Sequence, residues 1–363
     1  MTGVTVRRRG SGRRSPFDLD RAGLAALLDG EPPYRVGQVW DALHKRAEWP
    51  AEMTELPKEL RTRLADALTP ALEPLDRRIA DSGDTVKWVF DAGGRARVET
   101  VLMAYPDRVT VCVSTQAGCA MGCPFCATGQ GGFVRHLRSG EIVEQVAWAM
   151  RERPVTHVVF MGMGEPLANY DQTIGAVRRL HDDVGLSARR LTVSTVGIVP
   201  GIRRLAVEGL PVNLAVSLHA ANDQLRDRLV PINRRYPLAV LAEACADYVA
   251  RTGRRLSLEW AVIGGVNDSD ADANELADFA RPLRAHVNLI PLNATEGYRA
   301  PGRPRAGAFR RALKGLGVNA TVRQTRGQDI AAACGQLAGG PPGKTPSAGE
   351  GPGGPSDPGR RPQ

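Results

Sequence analysis

The chain has 363 residues, 42% hydrophobic and 24% charged, with a net charge of +9. That is enough for one large core and a small second unit, and no apolar run approaches the roughly 20 residues of a membrane span. The basic opening MTGVTVRRRGSGRR has no apolar stretch behind it, so no secretory leader is expected, no membrane partner either, and the expected compartment is the cytoplasm. The charge points only weakly to a polyanionic partner. Residues 1–14 carry +5 through Arg7, Arg8, Arg9, Arg13 and Arg14, and the 339–363 tail carries +1, which leaves about +3 for the body.

In chain order, 1–14 reads as a disordered basic tail. Residues 15–78 read as a small helical domain. Apolar residues recur at helical spacing over Asp18 to Leu28 and again over Val39 to Leu43, with Pro32-Pro33 between them. Leu56-Pro57 opens a third segment that ends near Leu68. Val86–Phe90 and Val98–Met103 are strand-like and flank Ala92-Gly93-Gly94, which predicts a hairpin.

From residue 109 the pattern alternates between strand and helix. Strands are predicted at Val109–Ser114, His157–Met161, Arg190–Ser194, Val212–Leu218, Leu256–Val262, Val287–Pro291 and Ala320–Gln324. Helices are predicted at 139–152, 171–182, 201–208, 238–251, 271–280 and 306–315, the first with Ile142, Val143, Val146, Ala147 and Met150 on one face and charges opposite. Such alternation implies an α/β fold with a parallel sheet and outer helices. A partial barrel and a doubly wound sheet both fit, and in either the ligands gather at the C-terminal ends of the strands. The Gly/Pro tail 339–363 has almost nothing apolar to bury and reads as disordered.

Four of the six cysteines crowd one stretch: Cys112, Cys119, Cys123 and Cys126. Cys119, Cys123 and Cys126 form a C-x3-C-x2-C loop after the first strand of the array. Thiolates are soft ligands for iron–sulfur clusters or zinc. Three thiolates on a four-iron cluster leave one iron open to a small molecule; a closed zinc site would have to borrow Cys112 or His136 as a fourth ligand. Further polar groups stand at strand tips: Gly164 and Glu165 in Gly-Met-Gly-Glu-Pro, Ser194, Ser217-Leu218-His219, and Asn293. Cys245 lies among alanines on a helix and reads as core.

The cysteine spacing resembles that of the radical S-adenosylmethionine (SAM) superfamily. Within it, residues 17–338 resemble the RlmN adenine methyltransferases and their relative Cfr. The resemblance is carried by RVETV at 97–101, CVSTQAGCAMGCPFCATG at 112–129, GMGEPLANY at 162–170, STVGIVP at 194–200, SLHAAND at 217–223, PINRRYPL at 231–238 and RGQDIAAACGQL at 326–337. One small departure is Arg135-His136-Leu137, where the family usually has Arg-Asn-Leu.

The resemblance implies a partial (β/α)6 radical SAM barrel over 79–338, with a β-hairpin extension and 15–78 as an RNA-binding accessory domain. It implies a [4Fe-4S] cluster on Cys119, Cys123 and Cys126. SAM would be bound by Gly164, Glu165, Ser194, Ser217, Leu218, His219 and Asn293, with Glu165 accepting from its amino group. Cys334 would carry the methyl group, received from a first SAM. A second SAM would yield a 5′-deoxyadenosyl radical that activates it. Glu99 would remove the adenine proton, and Cys112 would attack the Cys334 sulfur to release the product and leave a disulfide. The implied substrates are an adenosine in the peptidyl-transferase region of 23S rRNA and the adenosine beside the anticodon in tRNA, methylated at carbon 2. Carbon 8 is the Cfr-type alternative, and a non-catalytic iron–sulfur RNA-binding protein is the alternative outside enzymes. An electron donor such as flavodoxin or ferredoxin and a monomeric state complete the expectations.

Overall fold

The computed structural model describes residues 14–294, 297–323, 326–332 and 335–337. The expected tails, apart from Arg14, lie outside the described residues, and so does Cys334.

Three helices come first: α1 (Arg21–Leu27), α2 (Tyr34–Lys45) and α3 (Lys58–Ala67). Asp20 caps α1 by accepting from the Gly23 N–H at 2.7 Å. Phe17, 1% exposed, meets the rings of His44 and Trp49 edge-on at 5.3 and 6.0 Å. Both ends of this helical region converge on one side chain, Glu144. Its carboxyl accepts from the Ser15 hydroxyl at 2.6 Å and from the N–H groups of Ala71 at 3.0 Å and Leu72 at 2.8 Å. Burial pushes Glu144 up to about 7 against those hydrogen bonds.

An antiparallel ribbon follows: β1 (Glu73–Ala80), β2 (Thr85–Asp91), β3 (Arg97–Tyr105) and β4 (Arg108–Cys112). β2 and β3 form the predicted hairpin. β1 is not foreshadowed and runs across the expected boundary at residue 78. Its sequence EPLDRRIA is half charged and mostly exposed, so pairing with β2 supplies what periodicity could not show.

Next come β5 (Gln116–Gly118), α4 (Ala127–Gln130) and β6 (Phe133–His136), with β5 and β6 paired in a small sheet of their own. The βα array continues with α5 (Ser139–Met150), β7 (His157–Phe160), α6 (Tyr170–Asp182), β8 (Leu191–Thr195), α7 (Val199–Leu205), β9 (Asn213–Ser217), α8 (Asp223–Leu229) and α9 (Leu238–Thr252). It ends with β10 (Leu256–Val262), α10 (Asp270–Ala280), β11 (His286–Pro291), α11 (Arg303–Gly315) and β12 (Ala320–Val322). The large sheet runs β1-β2-β3-β4-β7-β8-β9-β10-β11-β12, parallel from β4 onward. This is the expected partial (β/α) barrel, extended at one edge by the antiparallel ribbon.

The strands match expectation within a residue or two. The face of α5 does not. Glu144, one of the charges placed opposite the apolar face by periodicity, is fully buried, and so is Gln145. The helix is packed from both sides, by the sheet and by the segment around Phe17. Gln145 accepts from the Thr100 hydroxyl and the Ser114 N–H, both at 2.8 Å, and donates to the Ser114 carbonyl at 2.9 Å. Buried polar groups are tolerated when paired in this way.

Phe17→Ala removes the ring that docks the helical region on the barrel. It is expected to cost about 3–5 kcal/mol, the usual range for such a core truncation, read as a lowered midpoint in chemical denaturation. An unchanged midpoint would mean that the N-terminal region contributes nothing to the folded core.

Candidate active site

A cavity of about 160 Å³ opens at the C-terminal ends of the parallel strands. Cys119, Cys123 and Cys126 line it, as do Gly164, Glu165, Ser194, Ser217 and His219. The cysteine loop leaves β5 with the Cys119 N–H donating to the Gly132 carbonyl at 2.8 Å and closes with the Cys126 N–H on the Cys123 carbonyl at 3.1 Å. Burial pushes the Cys119 thiol up to about 11 and raises Cys123 as well, and the charges of Cys126 and Glu165 add to both. A bound soft metal is what makes such thiolates tolerable.

The fourth zinc ligands considered from sequence do not reach this cavity. His136 Nδ1 lies 3.1 Å from Gln116 Nε2, and Cys112 packs with Val101, Met163 and Leu337. Among the described residues, no three His, Cys, Asp or Glu side chains converge as a single ion requires. Three cysteines around one cavity fit an iron–sulfur cluster with one iron left for a small molecule.

Gly164 shows why the β7 tip needs glycine. Its φ is +99°, and a Cβ there would fall 2.5 Å from Gln116 Cβ. The chain turns tightly and presents Glu165 to the cavity. That carboxyl already accepts from Leu167 N–H at 3.0 Å and Val196 N–H at 2.8 Å, so it ties the loops after β7 and β8 together. Burial pushes it up to about 7 against those bonds.

His219 also has a left-handed backbone, with φ of +60°. Its Nδ1 accepts from the Ala261 N–H at 2.9 Å, its carbonyl accepts from Asn267 Nδ2 at 2.7 Å, and its ring meets Phe125 edge-on at 4.9 Å. Burial drives it down to about 3, with Arg226 adding to the shift, so the ring is neutral at ordinary pH.

Leu218 and Asn293, also expected to bind SAM, are not among the residues that line this cavity. The Leu218 side chain is fully buried in the main core, because side chains alternate along β9 and its successor residue, so only its backbone can face a ligand. Asn293 lines a separate open cleft of about 1190 Å³, beside Arg310, Arg323 and Arg326. It lies beyond the end of β11, past the rim of the cysteine cavity.

Glu99 and Cys112 sit on the neighbouring strands β3 and β4. The Glu99 carbonyl accepts from the Ser114 hydroxyl at 2.6 Å, and its carboxyl forms an ion pair with Lys87 at 3.0 Å, both side chains nearly inaccessible. Lys87 also donates to the Ala331 carbonyl at 3.0 Å. Cys112 lines a second, smaller cavity of about 110 Å³ together with Ala332 and Leu337. Described residues before and after position 334 are each anchored. The Gly327 N–H donates to Asp81 at 3.1 Å, while the Gly335 and Leu337 carbonyls accept from Ala127 N–H and the Thr128 hydroxyl. Cys245 is core, as expected, with burial pushing its thiol up to about 12.

Sequence reading missed Lys87, Arg226, Glu259 and Asn267. Arg226, 0% exposed, donates to the carbonyls of Leu218 at 3.1 Å and Val196 at 2.7 Å and to Asn233 Oδ1 at 2.8 Å, bracing the loops after β8 and β9. The available signal for Lys87 and Glu259 was a lone charge inside an apolar strand, TVKWVFD and LEWAV.

The Radical SAM superfamily model matches residues 113–279. A dual-specificity RNA methyltransferase RlmN from Frankia casuarinae is 52% identical over 93% of this chain and 86% of its own. One of the same name from Chloroflexus aurantiacus is 49% identical over 90% of this chain and 93% of its own. A solved radical SAM methyltransferase from Sphaerobacter thermophilus superposes with a TM-score of 0.85 at 49% identity, covering 90% of this chain and all of that one. With its cysteine-lined cavity at the strand ends and relatives of this similarity across most of its length, the chain belongs to the RlmN family of radical SAM RNA methyltransferases.

Proposed function

We propose that this enzyme methylates carbon 2 of an adenosine in 23S rRNA, and the adenosine beside the anticodon in tRNA, by way of a methylated Cys334. The observation that carries this reading is the meeting of two elements at one cavity. The three cysteines line it, and Gly335 and Leu337, on the far side of position 334, line it too.

When bound, a [4Fe-4S] cluster on Cys119, Cys123 and Cys126, together with SAM, supplies the methyl group and the one-electron chemistry that activates it. Gly164, Glu165, Ser194, Ser217 and His219 shape the SAM pocket. A neutral His219 adds no cation next to a sulfonium ligand. The Cys334 thiolate accepts the methyl group and carries it to the base. Glu99 takes the proton from the adenine carbon, and Lys87 orients the Glu99 carboxyl while holding the Ala331 carbonyl. Cys112 then attacks the Cys334 sulfur, breaking its bond to the carbon carried by the base. The electron pair of that bond stays with the base and is protonated, and the Cys112–Cys334 disulfide left behind is reduced by an external thiol. The packing of Cys112 against Leu337 and its lining of the same small cavity as Ala332 support that role.

The target base must leave its stack to present carbon 2. The helical region and the exposed pairs Arg189-Arg190 and Arg234-Arg235 meet phosphate, which positions the RNA without specifying it. Electrons come from a small carrier of the flavodoxin or ferredoxin type, and the enzyme works as a cytoplasmic monomer. No helix among the described residues is long and apolar enough to cross a membrane.

The deciding experiment is mass spectrometry of digested rRNA and tRNA from cells with and without the gene, resolving 2-methyladenosine from 8-methyladenosine. The 2-isomer is expected to disappear with the gene; loss of the 8-isomer instead would refute carbon 2.

The metal site has its own check. Anaerobically reconstituted protein should hold about four irons and lose them when Cys119, Cys123 or Cys126 becomes Ala, while Cys245→Ala keeps them. Stoichiometric zinc without charge-transfer absorption would overturn the cluster.

The two working cysteines separate by the step each serves. Cys334→Ala cannot accept the methyl group and should never bond to RNA. Cys112→Ala keeps the carrier and loses only the resolving thiol, so it should accumulate a nuclease-sensitive protein–RNA adduct on a denaturing gel. A Cys112→Ala protein with methylated Cys334 and no adduct would remove Cys112 from the mechanism.

A further inference from the structure

Lys87 is a buried lysine that stands between two elements the reaction must bring together. It lies on β2, only 5% exposed, within TVKWVFD. Register pairs Lys87 with Val101 and Val89 with Glu99, so Lys87 and Glu99 are diagonal neighbours on one face of the β2–β3 pair. The ammonium lies 3.0 Å from the Glu99 carboxyl and donates to the Ala331 carbonyl, also at 3.0 Å. A buried ammonium is tolerable only with its donors engaged, and here the two acceptors come from segments far apart in the chain.

The segment that leads to position 334 is shaped to reach that ammonium. Gly327 turns with a φ of +62°, and a Cβ there would fall 2.7 Å from Ala332 Cβ and 3.0 Å from Thr85 Cγ2, so the turn lies tight against the start of β2. The Ala332 N–H closes it on the Gly327 carbonyl at 2.9 Å. Ala331 holds a left-handed backbone, with φ of +51°, which a residue other than glycine keeps only where its surroundings fix it. The carbonyl of that strained residue is the one that accepts from Lys87. A second anchor does not involve Glu99: Asp81 Oδ2 accepts from the Gly327 N–H at 3.1 Å and from the Thr85 hydroxyl at 2.5 Å. Lifting the segment takes one of its two acceptors from the ammonium, and a buried charge that loses a partner shifts toward the partner or the water that remains. The Glu99 carboxyl shifts with it.

We propose that Lys87 is a positioning residue that poses Glu99 for proton transfer only while the carrier segment is docked, which rests on the reading of Glu99 as base and Cys334 as carrier. With the segment down, the ammonium is fixed between the Ala331 carbonyl and the Glu99 carboxyl. The Ser114 hydroxyl holds the Glu99 carbonyl at 2.6 Å, so the base is fixed at its backbone and at its side chain. The proton passes from the adenine carbon to a Glu99 oxygen, and its bonding pair stays with the base. With the segment lifted, the same carboxyl is out of place. Deprotonation is thereby tied to the covalent adduct, the state in which the adenine is joined to the carrier and the carrier is docked.

The test uses the full chain purified from cells, with iron content, methylation of Cys334 and thermal midpoint read beside the protein–RNA adduct. Lys87→Met should keep the iron and the methylated cysteine. It should release product at least about a hundredfold more slowly, the low end for loss of a general base, and accumulate a nuclease-sensitive adduct. Amide hydrogen exchange over residues 326–332 should rise in the same variant. Lys87→Arg, which keeps the charge and the donors, should restore release in part, and Lys87→Gln carries the comparison if the Met variant does not fold. Asp81→Gly suits the φ of +52° at that position and loosens Gly327 without touching Glu99. It should stall the adduct as well, and adding it to Lys87→Met should slow release no further. Effects that multiply in the double variant would show two independent roles and overturn the proposal. So would a Lys87→Met protein that is less stable yet releases product at the wild-type rate. Glu99→Gln separates the two levels: if it stalls the adduct and Lys87→Met does not, this inference alone falls. If Glu99→Gln releases product normally, the base assignment falls and this inference with it.

Discussion

Three thiols line the wall of one cavity at the mouth of the barrel, and burial resists the ionisation of Cys119 and Cys123. A protein surface would leave such groups as ordinary thiols; here they stand in a cavity where a soft metal is the natural way to carry their charge. The neighbouring polar groups are arranged around that wall. Glu165 is pinned by two backbone N–H groups, His219 is held neutral, and Arg226 spends its guanidinium on loop carbonyls. Each is satisfied within the protein, which leaves the cavity preorganised and not awaiting rearrangement.

The C-terminal segment depends on the same wall. Its later part is fastened to the residues that follow Cys126, through Ala127 and Thr128. Its earlier part is fastened to the antiparallel ribbon through Asp81 and Lys87. The ribbon therefore does more than lengthen the sheet. It supplies Glu99, the ammonium that orients it, and the anchors for the chain leading to position 334. Lys87 touches both the Glu99 carboxyl and the Ala331 carbonyl, so one buried charge links the position of the proposed base to that of the proposed carrier segment.

Much of this was legible in the sequence because it depends on local spacing. Cysteines four and three residues apart, a glycine before Glu165, and strands of five to seven apolar residues each carry their signal within a short window. What escaped depends on distant partners. β1 became a strand because β2 lay beside it, despite its charges. Glu144 on α5 is buried although periodicity puts charges on the solvent side, because periodicity shows one packed face and cannot show a second. The resemblance puts Leu218 with Ser217 and His219, while strand alternation turns its side chain into the core.

The sequence by itself determined the chemistry the chain can hold: three soft ligands in one loop, polar tips on successive strands, and the repeating order that makes a parallel sheet. Only the tertiary structure decided which charges face each other. Lys87 meets Glu99 across paired strands, and Glu259 meets Asn288 and stands beside Ser217 at one level of the barrel. The physical reason is that a buried charge is tolerable only beside its partner, and strand register across the sheet, not distance along the chain, sets which residues become partners.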